Sequence, residues 1–117
     1  MARVIALVDD LFFQAKMLET ARHVGVELKT VATGDALVEE ATKSAAGLVI
    51  VDLNARQGPL EAIERLHAAG LSAPLVAFLS HVQVDLAERA RAAGCRDVMP
   101  RSKFTQNLAT ILSQAKS

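Results

Sequence analysis

Tryptophan and tyrosine are absent from this chain of 117 residues, and its four phenylalanines bring the aromatic content to only 3%. A core with so few rings must rest on Ala, Val, Leu and Ile, and a 51% hydrophobic composition supplies them. The lone cysteine, Cys95, excludes an internal disulfide and fits a reducing compartment, where its expected state is a buried thiol. Net charge is lacking too. Thirteen Lys and Arg balance thirteen Asp and Glu, so the chain has no electrostatic pull toward nucleic acid or an anionic membrane. No apolar run approaches the ~20 residues of a membrane span. The opening "MARVIALVDD" has too short an apolar stretch for a secretory signal, so a cytoplasmic location is expected.

Several chemistries lack their motifs. No G-x-G-x-x-G follows the first apolar run, and no G-x-x-x-x-G-K-[ST] occurs, so neither phosphate cradle is available to a nucleotide. "DD" is not the D-x-D of phosphatases that form an aspartyl intermediate. Ser80 lacks the G-x-S-x-G setting of a hydrolase nucleophile. His23, His67 and His81 sit on separate segments with no metal-ligand spacing, and His23 and His67 read as solvated helix residues.

What is present is a repeating order. "VIALV" (4–8), "LVIV" (48–51) and "LVAFL" (75–79) are short unbroken apolar runs, the mark of strands buried on both faces of a parallel sheet. "VELKTV" (26–31) alternates and "DVM" (97–99) is short and polar, which places both near the sheet edges. Between the strands lie helical patterns. Phe13, Met17, Ala21 and Val24 share one face, with Gly25 as a stop. A shorter helix opens near Thr33-Gly34-Asp35, and a third has Pro59 in its first turn and Ala62, Ile63 and Leu66 as its stripe. An Ala-rich helix runs from Val84 to Ala93. A last helix carries Phe104, Leu108, Ile111, Leu112 and Ala115 on one face. Five β-α repeats imply parallel strands, and residues 1–117 are expected to form one three-layer α/β domain.

In an open parallel sheet, ligands bind beyond the carboxyl ends of the strands. Asp9 and Asp10 close the first run and Asp52 closes the third. If those strands are neighbours, three carboxylates converge and repel one another. A hard divalent cation relieves that repulsion, and Mg²⁺ suits two or three carboxylates plus a carbonyl such as that of Asn54. The competing reading is that a single Asp after a strand caps the next helix, and for Asp10 both readings stand.

"VIALVDD", "LVIVDLN", "LVAFLS" and "AAGCRDVMPRSKF" together resemble the receiver domain of two-component response regulators, over essentially the whole chain. The resemblance implies a doubly wound, flavodoxin-like sheet with strand order 2-1-3-4-5. It implies a signalling domain, not an enzyme with a substrate of its own. Asp52 would be the phospho-acceptor, taking a phosphoryl group from a histidine kinase or phosphotransfer protein. Asp9, Asp10, Asp52 and the Asn54 carbonyl would hold Mg²⁺. Ser80 would be the switch hydroxyl, and a downstream protein would read the face made by the fourth helix, fifth strand and fifth helix.

The chain departs from that pattern at several positions. Arg56 stands where the family has Pro, and the stretch from Asp52 to the third helix looks one residue short. His81 replaces a small residue after the switch hydroxyl, and Val98 replaces the aromatic of the fifth strand. The expected Lys-Pro is missing from "VMPRSKF". Counting from Gly94 puts Arg101 in the Lys position, with Lys103 as the second candidate for a phosphate contact. Arg for Lys is not a conservative exchange, since a planar fork replaces a compact charge. Two functions follow: a phosphorylation-dependent receiver, carried by the acids and Ser80, or a phosphorylation-independent pseudo-receiver acting as an interaction module, carried by the departures. No direct nucleic-acid or membrane partner is expected.

Overall fold

The computed structural model describes residues 2–80 and 83–116. His81 lies outside the described residues. The first half of the chain alternates β1 (Arg3–Leu7), α1 (Leu11–Val24), β2 (Glu27–Val31), α2 (Gly34–Lys43), β3 (Leu48–Asp52) and α3 (Pro59–Ala68). The second half continues with β4 (Leu75–Leu79), α4 (Val84–Ala93), β5 (Asp97–Pro100), α5 (Arg101–Gln106) and α6 (Leu108–Ser113), followed by a 3₁₀ turn over Gln114–Lys116. The strands form one five-stranded parallel sheet in the order β2-β1-β3-β4-β5, a flavodoxin-like α/β arrangement. The two weakly apolar segments are its edges, as their alternation and polarity imply.

Successive strand residues point to opposite faces. Ile5, Leu7, Val49, Val51, Ala77, Leu79 and Val98 therefore share one core with α2, α3 and α4. Val4, Ala6, Leu48, Ile50, Val76, Phe78 and Met99 share the other with α1, α5 and α6. Three of the four phenylalanines gather in this second core. Phe78 and Phe104 stack with centroids 4.4 Å apart, and Phe13 meets Phe78 edge-on at 5.3 Å. Cys95 is buried among aliphatic side chains, and that burial pushes its thiol pKa up to about 11.

Helix boundaries follow local chemistry. Gly25 ends α1 at φ 75° with its N–H returned to the carbonyls of Ala21 and Arg22. Pro59 occupies the first turn of α3. Of the alanines on α4, Ala90 is fully buried, and Ala87 and Ala93 pack against the first core. The last helix departs from the sequence expectation in two ways. It begins at Arg101, ahead of Lys103, because Pro100 is the extended residue before it. It also breaks at Asn107 (φ −110°, ψ 15°), whose Nδ2 donates to the Lys103 carbonyl at 2.9 Å. Asn side chains offer the backbone such an alternative partner. The apolar stripe nevertheless continues across the break.

Candidate functional site

The carboxyl ends of β1 and β3 are adjacent in the sheet, so the acids that follow them come to one rim. Asp52 is the last residue of β3 and only 4% exposed. Its Oδ1 accepts the N–H of Asn54 at 2.9 Å, and its carbonyl accepts the N–H of Ala55 at 3.1 Å, a local turn that fixes the carboxylate. Burial pushes the Asp52 carboxyl above its ordinary value. The charges of Asp9 and Asp10 add to the rise, while the Asn54 N–H and the charge of Arg101 oppose it.

Of the two roles open to Asp10, the structure shows the cap, and its second oxygen pairs with an arginine. Its Oδ1 caps α1, accepting from the N–H groups of Phe12 and Phe13 at 3.0 and 3.1 Å. Its Oδ2 accepts Arg101 Nη2 at 2.8 Å. The guanidinium, with the capping N–H groups, holds the Asp10 carboxyl below its ordinary range. Arg101 is itself seated, with its Cζ 4.1 Å from the centroid of the Phe13 ring. Asp9 has a parallel arrangement: its Oδ2 accepts the backbone N–H of Arg56 at 3.0 Å and the Arg56 Nε at 3.2 Å.

Arg101 therefore points into the acidic rim, as the register from Gly94 implies, and its hydrogen bond goes to Asp10. Lys103 is exposed on α5, and the hydrogen bonds found at this residue are to its backbone carbonyl. Ser80, exposed and immediately after β4, donates its backbone N–H to Asn54 Oδ1 at 2.6 Å. Asn54 Nδ2 in turn donates to Gln83 Oε1 at 2.8 Å. The sequence reading assigned Asn54 a main-chain role, and its side-chain bridge to the loop after β4 was not foreseen. Nor was the pairing of Arg56 with Asp9. The one available signal was that both departures nearest the acids, Arg56 and Arg101, introduce arginine.

As arranged, this donor set does not fit the oxygen cage of a hard divalent cation. Both Asp10 oxygens and one Asp9 oxygen are hydrogen-bonded to the protein, and among the described residues no three His, Cys, Asp or Glu groups are grouped to hold a metal ion. At the rim where a shared Mg²⁺ is expected, two carboxylate–guanidinium pairs flank a buried carboxyl.

The fold is that of response-regulator receiver domains. Among solved structures it is similar to the Vibrio cholerae chemotaxis protein CheY4 (TM-score 0.85, 19% identity, 98% of each chain covered). It is similar also to the phosphorylated cyanobacterial phytochrome response regulator RcpA (TM-score 0.86, 16% identity, 99% of this chain and 94% of that one). A third is the Francisella response regulator 1452 receiver domain (TM-score 0.84, 10% identity, 99% and 98%). No family model matches the sequence, and no curated protein matches it. Receiver domains form a class of signalling modules, and this chain has their architecture throughout the described residues. No helix among those residues is long and apolar enough to cross a membrane.

The raised Asp52 carboxyl gives a signed prediction. Its folded-state pKa lies above the unfolded value near 3.8, so the ionised form is disfavoured by the fold. That penalty is present at neutral pH and disappears as pH falls through the folded pKa. Asp52→Asn is therefore expected to stabilise the protein at pH 7, with the difference vanishing in acid. Urea midpoints measured at several pH values check both sign and window.

Proposed function

We propose that this chain is a receiver-type signalling module that docks a downstream protein through the face built from α4, β5 and α5, without requiring a phosphoryl group on Asp52. The observation that carries the reading is the Asn54 bridge. In a phosphorylation switch, the loop after β4 is drawn toward a newly made phosphoryl group, and the face beyond it responds. Here the backbone of Ser80 and the side chain of Gln83 are already tied to the β3 turn by one amide, at 2.6 and 2.8 Å. Val98 adds support, being a small aliphatic residue buried opposite Ala77, with no ring to exchange between two positions. A ligand can shift such a face only through differential affinity for two states, and the bridge favours one of them in advance.

A second reading, phosphorylation of Asp52 by a histidine kinase or phosphotransfer protein with Mg²⁺ on Asp9, Asp10, Asp52 and the Asn54 carbonyl, is favoured by one feature. Asp52 is buried at the carboxyl end of β3, with the charge of Arg101 opposing its protonation. Ser80 would then be the switch hydroxyl and Arg101, in preference to Lys103, the phosphate contact.

Amide NMR spectra separate the two. Under the docking reading, beryllofluoride with Mg²⁺ leaves the amides of Val84–Ala93 and Asp97–Pro100 in place, and a small phosphodonor does not label Asp52. Shifts spreading across those segments, lost in Asp52→Ala, would establish the phosphorylation reading instead. Asn54→Ala removes two hydrogen bonds, each worth about 0.5–1.5 kcal/mol. Exchange of the Ser80 amide is then expected to accelerate roughly tenfold or more. Unchanged exchange would sink the role given to the bridge.

A further inference from the structure

The acidic rim has a charge balance that the sequence alone did not show. Asp9, Asp10 and Asp52 contribute three negative charges, and Arg56 and Arg101 return two positive ones through direct hydrogen bonds. The contacts are specific. Arg56 reaches Asp9 Oδ2 with both its backbone N–H and its Nε, so even the chain direction after β3 favours the pair. Arg101 reaches Asp10 Oδ2 while its guanidinium plane is supported by Phe13, a ring held in turn by Phe78. Charge-assisted bonds of this kind are roughly twice as strong as neutral ones. A divalent cation entering the rim would have to compete with them for the carboxylates, dehydrate, and accept repulsion from both guanidinium groups, with a net of one uncompensated carboxylate to attract it.

We propose that Arg56 and Arg101 take the charge-neutralising place of a divalent cation at this rim, and thereby exclude Mg²⁺ from it. The rim is latched by the two guanidinium groups. Arg56 is the more accessible latch, since its side chain is 83% exposed, and Arg101 is the anchored one. This inference concerns the same rim as the docking reading but does not depend on it, because a metal-excluding rim is compatible with any partner.

The test is metal binding by the isolated chain, read by Mg²⁺-dependent amide shifts and by thermal unfolding with and without MgCl₂. Wild type is expected to show no shift at Asp9, Asp10 or Asn54 and no change in Tm at about 10 mM Mg²⁺, the concentration at which even a 1 mM site would be nearly saturated. The double variant Arg56→Gln/Arg101→Gln is expected to lose stability without metal and to regain part of it with Mg²⁺, with a dissociation constant at least about tenfold below that of wild type. If the double variant does not fold, Arg56→Gln alone, altering an exposed side chain, is expected to gain affinity in the same direction. Submillimolar Mg²⁺ binding by wild type would overturn the proposal. So would a folded arginine variant with no gain in affinity, since the arginines would then not be what keeps the cation out.

Discussion

Phe104→Ala is expected to lower the unfolding free energy by about 3–5 kcal/mol. Phe104 is fully buried, stacked on Phe78 at 4.4 Å and tilted against Phe13 at 6.0 Å. Those three rings are three of the four in a chain that has no Trp or Tyr, and the fourth, Phe12, is exposed, so no further ring is available to fill the cavity. A domain of this size has roughly 5–15 kcal/mol of stability in all, which makes the loss a large fraction of it. The effect reaches the functional rim. Phe13 carries Arg101 on its face, and a loosened Phe13 loosens the contact between Arg101 and Asp10. Urea denaturation measures the first consequence. The second appears as a rise in the Asp10 carboxyl pKa toward its ordinary value, followed by NMR titration. Phe104→Leu, which keeps much of the volume, is expected to cost less than half as much.

Gly34→Ala is the second large effect, and it is steric. A Cβ on Gly34 would stand 2.4 Å from the carbonyl oxygen of Gly58 and 3.1 Å from that of Gln57. Both obstacles are backbone, and the Gly34 N–H is already bonded to the Gln57 carbonyl at 2.7 Å, so neither side can rotate away. Overpacking of this kind costs about 1–3 kcal/mol. Because residues 55–58 form the loop that holds Arg56 against Asp9, the displacement is expected to weaken that pair as well. Thermal unfolding measures the loss, and the amide shifts of Asp9 and Arg56 report the displacement. A variant with wild-type Tm and an unmoved Arg56 amide would show that the loop accommodates the methyl group without strain.

The two predictions reach the same rim from opposite cores. α1 and α5 bring Asp10, Phe13 and Arg101 from one face of the sheet, and the turn before α3 brings Arg56 from the other. The rim is thus assembled by the sheet order, since β1 and β3 must be neighbours before Asp9 and Arg56 can meet. This also explains why a stability defect in either core is expected to alter the site's charge balance before it unfolds the chain.

Much of this was legible in the amino-acid sequence. Unbroken apolar runs at 4–8, 48–51 and 75–79 required strands covered on both faces, and the alternation of 26–31 required an edge. Helix stops at Gly25 and the Pro59 turn depend on backbone chemistry local to those residues, so they too can be read from the sequence. The positions of Asp9, Asp10 and Asp52 at strand ends followed from register, and the count from Gly94 set Arg101 directly after the fifth strand. What the acids do with their oxygens was not legible. Asp9 meets Arg56 across 47 residues of sequence and Asp10 meets Arg101 across 91, and Asn54 reaches Ser80 and Gln83 across 26 and 29. Periodicity and spacing encode which face a residue occupies. They carry no information on which of several charged side chains will close a hydrogen bond after the strands are aligned, because that depends on distances of about 3 Å set by the packing of both layers. The sequence therefore determined a receiver-like sheet with an acidic rim, and only the tertiary structure decided that the rim is closed by arginines and the loop after β4 tied down by Asn54.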